Sequence, residues 1–248
     1  MLRISLLLTL LCAPLAHAET QPSFVAAGIG FDTLSNNYDG WQHQYARGQY
    51  GYSSQLALRA EARNYQRFNL TNTEFSLGAS YQWQPKTSFD MEIGTTPNAD
   101  FRPEQRARFQ VYQSIGRSWG SAVGIDWQAW PTRNITTLFI EPDWYIGNYR
   151  LAFKLSQINP QGLDSELGQQ VSIARYYRNI SFITLALATG REVEAIGSQV
   201  IVAEVKSLAL YGRHEWRGNW SWEYALSWSE QGDFYDRQGV EIGLHYRF

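Results

Sequence analysis

Residues 219–230 read NWSWEYALSWSE, and the period of this stretch decides the fold. Trp220, Trp222, Tyr224, Leu226 and Trp228 fall on one parity, and Ser221, Glu223, Ala225, Ser227 and Ser229 on the other. Successive side chains of a β-strand point to opposite faces, so this alternation gives one apolar and one polar face. An amphipathic helix would instead repeat its apolar residues at three- and four-residue spacing.

The same period runs outward in both directions. In GVEIGLHYRF, Gly239 to Phe248, the residues Val240, Ile242, Leu244, Tyr246 and Phe248 oppose Gly239, Glu241, Gly243, His245 and Arg247. YRLAFKLS sets Tyr149, Leu151, Phe153 and Leu155 against Arg150, Ala152, Lys154 and Ser156. EFSLGASYQW, QLALRAEAR and WGSAVGIDW, beginning at Glu74, Gln55 and Trp119, alternate likewise. Helical spacing fits none of them. The chain is all-β.

Two kinds of connection separate the segments. Tight ones fall at Ser53-Ser54, Gln84 to Thr87, Gly116 to Ser118, Gly147-Asn148, Arg178-Asn179 and Arg217 to Asn219. Longer polar ones are expected at 35–40, 69–73, 96–105, 131–134, 159–168, 193–202 and 230–237. Short turns at one end and long loops at the other belong to an outer-membrane barrel. The spacing predicts an antiparallel up-and-down transmembrane barrel of about fourteen strands, within a range of roughly 12–16. No linker or low-complexity block divides it, so residues 19–248 form one domain.

The first 18 residues, MLRISLLLTLLCAPLAHA, read as a secretory signal: basic Arg3, a short apolar run, and Ala16-His17-Ala18 before cleavage. Leu11 before Cys12 is not the small residue of a lipoprotein signal. Cys12 is the only cysteine, so the mature chain has no disulfide framework. The net charge of −2 becomes −3 once Arg3 is removed, which argues against a nucleic-acid partner. With 10 Trp, 15 Tyr and 12 Phe but only 18% charged residues, the composition fits strands that face lipid on one side and water on the other.

Aromatic placement supports this. Tyr52, Trp83, Trp119, Trp144, Tyr177, Trp216 and Trp220 lie beside tight turns; Trp41, Trp127, Trp130 and Trp228 lie beside long loops. Indole and phenol rings favour the headgroup level and form two girdles. A secreted β-sandwich acting as a carbohydrate-binding module also alternates, but does not sort Trp to both ends of its strands. A barrel also explains why the final strand can run to Phe248: pairing the last strand with the first leaves no exposed edge.

GLHYRF at 243–248, DWYIGNYRLAFK at 143–154 and FRPEQRARF at 101–109, together with the single-domain layout, resemble the YaiO-type outer membrane β-barrels. The resemblance implies a location in the outer membrane of a Gram-negative bacterium and a barrel of about this size. It carries over no catalytic residues, and it associates the chain with surface-polysaccharide machinery. By likeness to other outer-membrane barrels, Tyr246 and Phe248 form the terminal signal read by the barrel assembly machinery. The implied surroundings are outer-membrane lipids and lipopolysaccharide.

The chemistry on the polar parity points away from an enzyme. A barrel enzyme acting on lipid or lipopolysaccharide needs a nucleophile–base pair. His43 has Asp32 and Ser35 nearby in sequence, a trio that arises readily by chance. His245 shares the inward face with Glu241 and Arg247, whereas His214 falls on the lipid side beside a tight turn. No metal-ligand spacing or cofactor motif is present. Asn69, Asn134, Asn179 and Asn219 open glycosylation-type triplets but are read as turn residues.

The inward parity carries Arg59, Glu61 and Arg63, then Glu74, Asp90 and Glu92, Arg106 and Arg108, and Asp126. It continues with Glu141 and Asp143, Arg150 and Lys154, Arg213 with Glu215, Glu223, and finally Glu241, His245 and Arg247. These charges either pair and fill the lumen or line a path for a polysaccharide or small polar solute. Eight strands fill with side chains and sixteen leave a channel, so about fourteen admits both readings.

Overall fold

The computed structural model describes residues 21–196 and 199–248, with side chains described outside 191–203. The expected signal, residues 1–18, lies outside the described residues. Fourteen strands form one closed antiparallel barrel, each paired with its sequence neighbours. The first half comprises β1 (Phe24–Leu34), β2 (Trp41–Gly51), β3 (Leu56–Arg67), β4 (Leu70–Gln84), β5 (Thr87–Thr95), β6 (Gln105–Ile115) and β7 (Trp119–Ala129). The second half comprises β8 (Asn134–Ile146), β9 (Tyr149–Pro160), β10 (Glu166–Tyr177), β11 (Ser181–Ile196), β12 (Gln199–Arg217), β13 (Trp220–Gln231) and β14 (Tyr235–Arg247). The ring closes where β1 pairs with β14, from Phe24 opposite Arg247 to Leu34 opposite Arg237. Phe248 extends this seam by donating its N–H to Ser23 O at 3.1 Å.

The burial pattern is inverted relative to a water-soluble sheet. Val240, Ile242, Leu244, Trp222, Leu226 and Trp228 are exposed on the outer face. Inward positions of the same strands are buried and polar: Glu223 is 7% exposed, His245 2% and Ser221 0%. An apolar belt around the whole circumference needs lipid as its solvent. No helix among the described residues is long and apolar enough to cross a membrane; the strands cross it.

The tight turns lie where the spacing placed them, and Gly116, Gly147 and Gly218 take positive φ there. At the other end two expectations need correction. The loop expected at 69–73 is a two-residue turn, with Leu70 already in β4. Phe68 and Asn69 both adopt positive φ, 47° and 61°, the geometry of a hairpin turn whose twist matches the strands. That conformation is unfavourable for Phe, but its ring packs edge-on to Trp41 at 5.9 Å. The loop expected at 193–202 is also mostly strand: β11 runs to Ile196 and β12 starts at Gln199. Val193, Val200, Ile201 and Val202 are β-branched, and such residues favour continued extension.

The girdle expectation is also corrected at two positions. Trp41, 2% exposed, shares its parity with His43, Tyr45 and Arg47 and points inward. Trp130 shares the Asp126 and Gln128 parity and donates its Nε1–H to Gln128 Oε1 at 3.2 Å. Trp119 and Trp144 do form an outer pair, stacked at 5.3 Å. His214 is on the outer face as expected, packed among Tyr177, Trp222 and Tyr224.

Candidate functional site

Charges on the inward parity meet across the lumen. Arg47 on β2 donates through Nη2 to Glu223 Oε2 on β13 at 2.5 Å, although β1 and β14 lie between those strands. Arg213 Nε approaches Glu223 Oε1 at 3.9 Å, and its Nη1 donates to His245 Nε2 at 2.8 Å. Phe24 covers that imidazole at 4.6 Å. Beside this cluster His43 Nε2 meets Glu241 Oε2 at 2.7 Å. Arg63 approaches the same Glu241 oxygen at 3.6 Å and donates from Nε to Glu61 at 2.8 Å. Asp32 instead lies 4.0 Å from Arg237, and Ser35 Oγ accepts from Asp236 N. The structure therefore does not bring the His43–Asp32–Ser35 trio together.

Small residues make room for these groups. A Cβ on Gly28 would stand 2.7 Å from the Tyr45 ring and 2.6 Å from Ile242 O, so only glycine fits there. Tyr45 then lies between Arg47 and Arg63, their guanidinium carbons 5.2 and 4.8 Å from its ring centre.

A second group forms under the 96–104 loop. Asn72 Nδ2 donates to Asn98 O at 3.1 Å, while its Oδ1 accepts from Asp100 N and Phe101 N at 3.1 and 3.0 Å. These bonds turn the loop into the barrel and deliver Arg102, 4% exposed, to Glu74. Arg102 Nε donates to Glu74 Oε2 at 3.0 Å, and Arg106 Nε reaches Glu74 Oε1 at 2.8 Å. Arg106 also pairs with Glu92. Arg59, Asp90 and Ser80 close a triangle, with Arg59 Nη2 2.8 Å from Asp90 Oδ2. Further round, Arg150 holds both Glu141 and Asp143 at 2.7 Å.

Five expected lumen residues stay outside these pairs. Arg108 and Lys154 flank the inward Phe139 ring, and Asp126 accepts a hydrogen bond from Gln128 at 3.1 Å. Arg247 sits at the end of β14, and Glu215 lies at the β12 bulge beside the short turn. From β10 to β12 the inner wall changes character. Gln170, Ser172, Ala174, Thr184, Ala186, Ala188, Ser207 and Ala209 carry no charge. Tyr176, Phe182 and Tyr211 close that wall towards the short turns.

Several members were not anticipated. Arg102 was missed because a loop has no parity to read. Arg67, stacked 3.8 Å from the Trp41 ring, and the inward aromatics Tyr65, Tyr112 and Phe139 were legible by parity with Arg63, Arg108 and Glu141. Among the described residues no group of three or more His, Cys, Asp or Glu is arranged to hold a metal.

The YaiO membrane beta barrel domain model matches residues 23–195. The chain belongs to the YaiO family. No curated protein is significantly similar in sequence. Among solved structures, this YaiO-family barrel superposes on the CymD monoaromatic hydrocarbon channel with a TM-score of 0.61 at 7% identity, covering 92% of this chain and 88% of that one. A bacterial polysaccharide outer membrane secretin gives 0.54 at 12%, covering 92% and 99%. The translocator domain of autotransporter NalP from Neisseria meningitidis gives 0.50 at 10%, covering 93% and 90%. At such identities the likeness is one of fold: a porin-like outer membrane β-barrel.

Proposed function

We propose that this barrel is a narrow, gated passage for small polar solutes across the outer membrane and performs no covalent chemistry. The observation that carries the reading is the division of the inner wall. One side is filled by arginines paired with carboxylates, while β10 to β12 present small neutral residues in their middle part, with Tyr176, Phe182, Tyr211 and Arg213 towards the short turns. A water-filled path beside the neutral wall avoids both the ion-pair struts and the cost of stripping water from unpaired charge. The 96–104 loop, pinned by Asn72, folds inward on the charged side and takes up lumen space there. In keeping with the polysaccharide setting implied by the family, a saccharide is the solute class to test first.

Export with loss of residues 1–18, and insertion by an assembly machinery that reads Tyr246 and Phe248, complete the proposal. Outer-membrane lipids and lipopolysaccharide are the surroundings it implies. The Arg47–Glu223 strut, which bridges two intervening strands, favours one competing reading: a permanently closed docking barrel.

Planar-bilayer recording tests the choice. Wild-type protein should give small steps, and Asn72→Ala, which frees the loop, should enlarge them at least twofold. Silence from both proteins, each compact by heat-modifiable migration, would favour the docking barrel.

A further inference from the structure

Arg47, Arg59, Arg63, Arg106 and Arg150 are each ion-paired with an inward carboxylate. Arg108 and Lys154 differ. Neither takes part in an ion pair among the described residues, yet both stand over one ring. Lys154 Nζ lies 4.2 Å from the Phe139 ring centre, and Arg108 Cζ lies 5.1 Å from it. Arg108 Nη2 donates to Gln110 Oε1 at 3.1 Å, while its Nε is buried and has no acceptor. Asp126 faces Arg108 in register, but its Oδ1 accepts from Gln128 Nε2.

The ring is set in place by a notch. A Cβ on Gly124 would come within 2.8 Å of Phe139 Cε1, so glycine there lets the ring lie across β7 from β8 towards β6. The neutral amide of Gln170 stands opposite Lys154 in register, at the edge of the small-residue wall.

Two cations drawn to one ring repel each other, and one of them keeps an unanswered buried donor. A compact oxyanion between them removes both penalties, because it accepts from Arg108 Nε and from the Lys154 ammonium. We infer that Arg108 and Lys154, set against Phe139, form an anion-binding station in the lumen for carboxylate- or phosphate-bearing solutes. This inference deepens the passage reading and rests on it for access to the site.

Calorimetric titration of the refolded barrel in detergent at low salt tests it. The probes are inorganic phosphate and sodium glucuronate, which separate phosphate from carboxylate, with glucose as the neutral control. Saturable binding of at least one anion and none of glucose is expected. Arg108→Gln and Lys154→Met should each weaken binding at least fivefold. Lys154→Met keeps the unbranched stem over Phe139, so it removes charge with little change in packing. Asp126→Asn should tighten binding two- to fivefold by removing the competing carboxylate, and exposed Lys206→Gln should leave it within twofold.

Absence of saturable anion binding by a compact wild-type barrel would overturn the station. So would equal weakening by Lys206→Gln, which would reduce the effect to overall charge. A barrel that binds phosphate but stays silent in bilayers refutes the passage and keeps the station. One that conducts but binds neither anion refutes the station alone.

Discussion

The inner wall that runs from β13 through the β14–β1 seam to β9 and the inner wall from β10 to β12 have the same backbone geometry and different contents. On the first, long charged and aromatic side chains are packed against glycine notches and held by partners on the same, neighbouring or, for Arg47, more distant strands. On the second, small neutral residues such as Ala186, Ala209 and Thr184 occupy the middle of the sheet and are themselves buried, with Tyr176, Phe182, Tyr211 and Arg213 towards the short turns. The outer faces of the two regions do not differ in this way, since both present apolar residues to lipid. The difference teaches that the lipid face is constrained by the solvent it meets, whereas the lumen face is free to be divided between structural filling and passage. Ion pairs are concentrated on one side, and small neutral side chains on the other.

That contrast can be broken most sharply at Glu223. Glu223→Ala leaves Arg47 and Arg213 facing each other in the lumen without their shared carboxylate. Removing one partner of a buried pair costs about 3–5 kcal/mol. Urea unfolding of the refolded protein should show a loss of that size. Ser207→Ala on the neutral wall should stay within about 0.5 kcal/mol. Equal losses at the two positions would erase the distinction between the walls.

Glycines give a smaller contrast of the same kind. Gly28→Ala drives a methyl group into the Tyr45 ring and should cost about 1–3 kcal/mol through overpacking. At Gly168 on β10 a Cβ meets nothing nearer than 3.8 Å, so Gly168→Ala should be neutral to within about 0.5 kcal/mol in the same unfolding assay.

Conductance tests where the space lies. Ala186→Tyr on β11 should reduce single-channel steps by at least half in a barrel that still refolds to a compact form. Unchanged steps would put the path somewhere other than beside the neutral wall.

A further small effect on stability is expected off both walls, at Phe248. Its ring is 64% exposed, so deletion should cost well below the roughly 1.5–3 kcal/mol of a fully buried aromatic. If the terminal strand is read during assembly, the amount inserted in cells should fall severalfold while refolding in detergent is preserved. Normal insertion combined with a refolding defect would make Phe248 a packing residue.

Much of this molecule was legible in particular residues. The alternation in NWSWEYALSWSE assigned Glu223 to the lumen and Trp222 to lipid, and the structure agrees. Trp41 shows the opposite case. An aromatic residue beside a loop was read as a girdle member, although its parity with His43 and Arg47 already placed it inward. The 69–73 segment was misread because Phe-Asn is not a familiar turn pair, and its left-handed backbone is sustained by packing on Trp41. Arg102 had no periodic signal at all. Its place in the lumen depends on Asn72, distant along the chain, bonding the loop's backbone.

The sequence by itself determined the strand period, the tight turns, the closed barrel and, through parity, the side that strand residues such as Glu223 and Trp222 face. All of these follow from a two-residue repeat and local turn chemistry. Only the tertiary structure decided which carboxylate each arginine holds, where the 96–104 loop folds, and that Arg108 and Lys154 share the Phe139 ring while neither makes an ion pair among the described residues. Those partners are set by closure and strand register: Arg47 and Glu223 are 176 positions apart, and His43 and Glu241 are 198 apart. Local periodicity carries the face on which a charge lies, but the partner it meets across the lumen exists only once the ring has closed.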